Sequence, residues 1–94
     1  MGYFIAFTKH AIRFMKKLDP QTRAFLLKEV ERLKFNPHQF PKLSGRASFL
    51  RSYHTNFRGV AYRIVFEIRE SAKEILVYLA APRSRVYELL KRLF

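Results

Sequence analysis

The sequence predicts an α+β domain with elements in the order β-α-α-β-β-β-α. An N-terminal helical hairpin is expected to pack on an antiparallel sheet meander, with a short C-terminal helix closing the chain. Three observations lead there. Two amphipathic stretches meet at Asp19-Pro20 with almost no linker. Three consecutive β-type runs joined by short turns follow, which favours antiparallel neighbours. Val86, Leu89, Leu90 and Leu93 then return to the i, i+3, i+4, i+7 spacing of a helix face. All 94 residues read as one domain, 1–94, with no repeat or internal linker.

The run "YFIAFT" (3–8) is aromatic and β-branched, so it reads as a strand. Thr8 can cap a helix starting at Lys9, with Ala11, Ile12, Met15 and Leu18 on its apolar stripe. Asp19 is a second N-cap and Pro20 a first helical residue. The helix after it carries Leu26, Leu27, Val30 and Leu33 at core spacing and stops at Asn36-Pro37. "NPHQFPKLSGR" (36–46) reads as a loop, "SFLRSYH" (48–54) as a strand and "TNFRG" (55–59) as a turn. In "VAYRIVFEI" (60–68), Val60, Tyr62, Ile64, Phe66 and Ile68 share one face, and Arg63 and Glu67 share the other. "RESAKE" turns the chain, and "ILVYLAA" (75–81), apolar on both faces, reads as a central strand. The last helix is expected to begin near Ser84 or Arg85.

Charge is the strongest global signal. Nineteen Lys and Arg stand against 7 Asp and Glu, a formal +12. No acid lies between Arg32 and Phe66, whereas Arg32, Lys34, Lys42, Arg46, Arg51, Arg58 and Arg63 all do. A field of one sign attracts a polyanion. The chain has no cysteine, which excludes disulfides and thiolate chemistry and suits a reducing cytoplasm. No signal-peptide pattern and no long apolar run is read, so no membrane partner is expected.

There is no glycine-rich phosphate loop and no paired-carboxylate constellation. His10, His38 and His54 lack metal-ligand spacing, so neither metal nor cofactor is expected. Asp19, the only aspartate, is expected to be occupied as a cap. What remains is Arg, Lys, His and Tyr, a set suited to phosphodiester work. Cations stabilise developing negative charge, and His or Tyr can move protons.

The residues "KKLDPQTR", "PKLSG", "GVAYRIVFEI", "ILVYLAA" and the ending "PRSRVYELL" together resemble the RelE/ParE superfamily of type II toxin–antitoxin toxins. The resemblance runs over essentially the whole chain. It implies a ribosome-dependent, metal-independent endoribonuclease that cuts mRNA in the A site through attack by the 2′-hydroxyl. By motif, Arg63 matches the arginine of "YR", Arg83 that of the "R-x-x-V-Y" ending, and Tyr87 its tyrosine. The implied roles are Arg63 and Arg83 on the scissile phosphate, Tyr87 in stacking or proton transfer, and His54 in acid–base work. Arg51 and Arg85 are secondary phosphate or rRNA contacts. Arg58, Arg46 and Lys42, with the helix stripe Lys9, Arg13, Lys16 and Lys17, supply further contacts to RNA and the ribosome.

The chain departs from the family where relatives carry a lysine pair, replaced here by Arg51 and Tyr53 or His54, and at Pro82, where many have histidine. The implied partner is a cognate acidic antitoxin. The toxin alone is expected to be a cytoplasmic monomer and to form higher-order assemblies with that antitoxin. Three other readings stay open: a ParE-like gyrase inhibitor, a non-catalytic nucleic-acid-binding module, and an inactive family member.

Overall fold

The computed structural model describes residues 2–94. Strand β1 (Phe4–Phe7) leads into helices α1 (Lys9–Lys17) and α2 (Pro20–Arg32). Strands β2 (Arg51–Phe57), β3 (Val60–Arg69) and β4 (Glu74–Pro82) follow, then helix α3 (Arg83–Leu93). The element order is the expected one. Strands β2, β3 and β4 form the expected antiparallel meander, while β1 pairs with β4 in parallel. The sheet is therefore mixed, in the order β1-β4-β3-β2.

Both helix starts follow from their caps. Thr8 Oγ1 accepts from Ala11 N–H at 3.1 Å, a cap worth about 1 kcal/mol. Asp19 Oδ2 accepts from Thr22 N–H at 3.1 Å, and Oδ1 accepts from the Thr22 hydroxyl at 2.6 Å. Those two bonds hold the Asp19 carboxyl below its ordinary pKa.

The sheet is covered on both faces. Ala11, Met15, Leu26, Val30 and Leu33 of the hairpin pack on Tyr62, Ile64, Phe66, Ile75 and Val77. On the other face Val86, Leu89 and Leu90 of α3 meet Val65, Leu79, Ala81 and Leu50. Phe14 touches this second cluster although its helix neighbours Ala11 and Met15 belong to the first, so α1 lies beside β4. Two apolar layers explain why β4 is apolar on both faces. A bulge in the β3–β4 ladder interrupts its alternation: Val65 pairs with Leu79 and Phe66 with Val77, leaving Tyr78 unpaired.

Several expected details shift. Strand β2 begins at Arg51 instead of residue 48, because Gly45–Ala47 forms a 3-10 turn. It continues through Thr55, Asn56 and Phe57, so the turn shrinks to Arg58-Gly59. Both turn residues have positive φ, 51° and 79°, as in the two-residue hairpin turn whose twist matches its strands. Helix α3 starts at Arg83, directly after Pro82. Ile12 and Leu27, expected in the core, are each 43% exposed.

Candidate functional site

Alternation along β2 and β3 sorts the polar side chains between the two faces. The Tyr53 and Thr55 hydroxyls each donate to Glu29 Oε1 on α2, both at 2.8 Å. Burial, and then the Glu29 carboxylate, push the Tyr53 phenol above its ordinary pKa. His54 lies between them in sequence and so faces the other way, toward α3. It sits directly opposite Arg63 in the β2–β3 ladder, where Cβ atoms stand about 4.5–5.5 Å apart. Of the two alternatives for this position, Tyr53 or His54, it is His54 that shares a face with Arg63.

Arg63 reaches from β3 to α3. Its Nη1 donates to the Tyr87 phenol oxygen at 3.3 Å, and its guanidinium carbon lies 5.7 Å from the Tyr87 ring centroid. Arg63 Nε is buried with no hydrogen-bond partner. Arg83 is the first residue of α3 and is exposed. Partial burial first, then the Arg63 and Arg83 cations, hold His54 below the ordinary histidine pKa. His54, Arg63 and Tyr87 thus stand together between β2, β3 and α3, with the Arg83 cation near enough to act on His54.

The helix end beneath the cluster is itself electropositive. Pro82 occupies the cap position and offers no side-chain bond, and the first turn holds no acid. Arg83 and Arg85 therefore add to the positive end of the helix dipole, an arrangement that an anion would relieve. Arg85 has only a loose pairing with Glu88 at 3.9 Å.

The remaining predicted residues lie elsewhere. Arg51 donates to the main-chain carbonyls of His38 and Phe40, at 3.1 and 2.7 Å, and so fastens the loop before β2. Arg58 sits at the hairpin tip with its guanidinium 5.0 Å from the Phe57 ring. Lys9, Arg13, Lys16 and Lys17 are exposed along α1. Lys42 and Arg46 line an open groove of about 590 Å³ that also reaches Tyr87. Lys91 and Phe94, which sequence reasoning did not single out, form its opposite wall. Their spacing from Tyr87, i+4 and i+7 on an amphipathic helix, was the available signal.

A family model described as the ParE-like toxin of type II bacterial toxin–antitoxin systems matches residues 5–91. The chain belongs to this toxin family. Solved structures agree on the fold. The toxin–antitoxin complex RelBE2 of Mycobacterium tuberculosis has a TM-score of 0.74 at 22% identity, covering 88% of this chain and 100% of the other. The isolated RelE toxin of E. coli has a TM-score of 0.66 at 27% identity, covering 98% and 99%. The archaeal RelE–RelB complex of Pyrococcus horikoshii has a TM-score of 0.60 at 22% identity, covering 90% and 99%. A search of curated protein sequences finds no match. No helix among the described residues of this ParE-like toxin is long and apolar enough to cross a membrane.

Proposed function

We propose that this toxin is an endoribonuclease that cuts mRNA in the ribosomal A site. The observation that carries this reading is the convergence of a pKa-lowered His54, two arginines and a tyrosine phenol on one side of the sheet. Each step has a residue suited to it. Neutral His54 takes the proton from the 2′-hydroxyl, whose oxygen attacks the adjacent phosphorus. Arg63 and Arg83 stabilise the charge that builds on the phosphate oxygens. The bond from phosphorus to the 5′-oxygen breaks, and that oxygen takes a proton. Tyr87 accepts its hydrogen bond from Arg63, so its own O–H is free to supply that proton. The products are a 2′,3′-cyclic phosphate and a 5′-hydroxyl.

The unpartnered Arg63 Nε supports an anion in this position. A buried donor without a partner costs about 1–3 kcal/mol. A phosphate that draws the guanidinium toward itself would recover that loss. The cytoplasm is where such a toxin meets ribosomes. An acidic antitoxin is its proposed partner, since the M. tuberculosis, E. coli and P. horikoshii relatives were solved as toxin–antitoxin complexes.

The family description favours a second reading, gyrase inhibition, because it names ParE. A translation assay run beside a DNA supercoiling assay separates the two. Toe-printing should show A-site cleavage in programmed ribosomes, unaffected by EDTA and abolished by a single 2′-deoxy substitution at the nucleotide 5′ of the cut. Intact mRNA with inhibited gyrase would replace the nuclease reading with the second one.

A further inference from the structure

We propose that Glu29 on α2 is a positioning residue of the site: it pins the middle of β2 so that His54 stays beside Arg63. This deepens the endoribonuclease reading and rests on it. Glu29 lies between the hairpin and the sheet and is 8% exposed. Its Oε1 accepts from both the Tyr53 and the Thr55 hydroxyls, at 2.8 Å each. Those residues are the two chain neighbours of His54. Its Oε2 receives a longer bond, 3.4 Å, from Nη1 of the exposed Arg32.

The need for such a tie follows from where His54 sits. Among the described residues no side-chain hydrogen bond holds its ring. Its place is therefore set by the β2 backbone. β2 is an edge strand, paired along its length with β3 alone. Its other side meets one isolated bridge, Lys42 with Arg51, and one main-chain bond from Ser52 N–H to the Pro41 carbonyl. No strand supports that side from Tyr53 onward. Alternation sends residues 53 and 55 to the hairpin face and residue 54 to the opposite face, so pinning the first two fixes the third.

Stability alone does not ask for a carboxylate here. Exchanging a buried charged set for apolar side chains of similar volume is often neutral or stabilising. What the carboxylate adds is direction. Two hydroxyls meeting one oxygen allow a single placement of strand on helix, because any slip leaves buried polar groups unpaired. Apolar contacts such as the stacked rings of Phe25 and Phe57, 4.5 Å apart, tolerate small shifts. Chemistry on the opposite face does not: a displacement of about 1 Å can slow a reaction by roughly a hundredfold.

The test uses the full chain and replaces the whole network, so that no partner is left unpaired: Glu29→Leu with Tyr53→Phe and Thr55→Val. This triple variant should fold with a urea midpoint near wild type. Its single-turnover cleavage on programmed ribosomes, at saturating toxin, should fall by roughly tenfold or more. The toxin concentration giving half the maximal rate should not change. The His54 titration midpoint, read by NMR on the free protein, should rise toward the ordinary value near 6.5 as the ring leaves its place beside Arg63. Glu29→Gln is the conservative rescue, since its amide oxygen still accepts from both hydroxyls, and it should keep most of the rate. Tyr53→Phe cuts one tie and keeps the ring's edge-on contact with Phe40. It should move rate and midpoint the same way by less, and it keeps the test decisive if the triple variant does not fold.

A His54 midpoint that stays put in the triple variant, or in Tyr53→Phe where that variant must serve, overturns the proposal. So does a wild-type cleavage rate in a folded triple variant, even though the nuclease reading then stands. A loss in Glu29→Gln as large as in the triple variant also overturns it, because the charge and not the placement would then matter. If wild-type protein cuts no mRNA, the nuclease reading falls, and the His54 midpoint alone decides whether Glu29 positions that residue.

Discussion

Arg63 and Tyr87 join the middle of the sheet to the last helix. The Nη1 of Arg63 donates to the Tyr87 hydroxyl at 3.3 Å, and the guanidinium leans over the phenol ring. The pair forms because β3 projects residue 63 toward α3 while α3 begins at once after β4, which places residue 87 one helical turn above the sheet. Val86 and Leu90 anchor that turn in the core. The exposed phenol is therefore held by packing beneath it and by one cation beside it.

This pairing makes the Tyr87 substitutions informative. Under the proposed mechanism, Arg63→Ala and Arg83→Ala should each slow cleavage on the ribosome by roughly 10²–10³, the scale of losing one preorganised charge stabiliser. Ribosome affinity should fall far less, because many other cations share that task. Tyr87→Phe keeps the ring and removes the hydroxyl. Single-turnover cleavage close to wild type would assign Tyr87 to stacking alone, and a loss as large as that of Arg63→Ala would assign it to the proton.

His54 carries a pH signature. Partial burial and the two neighbouring arginines hold its pKa below the ordinary histidine value near 6.5. As the base of the proposed mechanism, His54 would stay neutral, and so competent, from pH 7 down past 6.5. The rate should then fall about tenfold per pH unit once the imidazole is protonated. Arg83→Gln removes one of the cations, so the His54 midpoint should rise in an NMR titration and the acid limb of the rate profile should move with it. An unchanged midpoint in Arg83→Gln would disprove the electrostatic coupling. A rate that is flat through the His54 titration would remove His54 from the chemistry.

The hairpin tip should trade stability for contact. Arg58 holds φ at 51°, a left-handed conformation that costs a side chain with Cβ roughly 1 kcal/mol and that asparagine adopts readily. Arg58→Asn should therefore raise the urea midpoint, a gain of about 1 kcal/mol or less. If Arg58 meets rRNA, the same variant should bind ribosomes more weakly and with a shallower salt dependence. A stabilised variant with unaltered ribosome binding would make the arginine incidental.

Sequence alone revealed the elements whose signals are local. Thr8 and Asp19 cap where their side chains can reach the next turn, and Val60 to Ile68 alternates because one face meets the hairpin. The direction of β1 was not legible, since a short apolar run carries no mark of parallel or antiparallel pairing. Thr55 and Asn56 look like turn residues, yet they pair with Tyr62 and Ala61 because Arg58-Gly59 alone closes the hairpin. Periodicity placed Ile12 and Leu27 on the apolar stripe without revealing how far the sheet covers it. For the site, the family motif brought out Arg63, Arg83 and Tyr87. That Arg51 would turn to the carbonyls of residues 38 and 40 depends on a loop that no pattern in the chain describes.

Charge neutralisation must come from outside the chain. Every one of its seven acids already has a partner: Asp19 caps α2, and Glu29 accepts from Tyr53, Thr55 and Arg32. Glu31, Glu67, Glu70, Glu74 and Glu88 are in ion pairs. The cluster of His54, Arg63 and Arg83 includes no carboxylate, and the net charge is +12. An acidic antitoxin segment that is disordered alone and folds on the toxin would supply the missing charge. Expression of the chain by itself should arrest growth, and co-expression of a cognate acidic partner should restore it. The purified complex should associate more slowly as salt rises, because the attraction is long-range and screened over about 8 Å at physiological ionic strength. An Arg63→Ala, Arg83→Ala double variant should be harmless when expressed alone yet still bind the partner, which separates neutralisation of the site from recognition of the surface. Unimpeded growth at high levels of the intact wild-type chain would contradict the toxin activity itself.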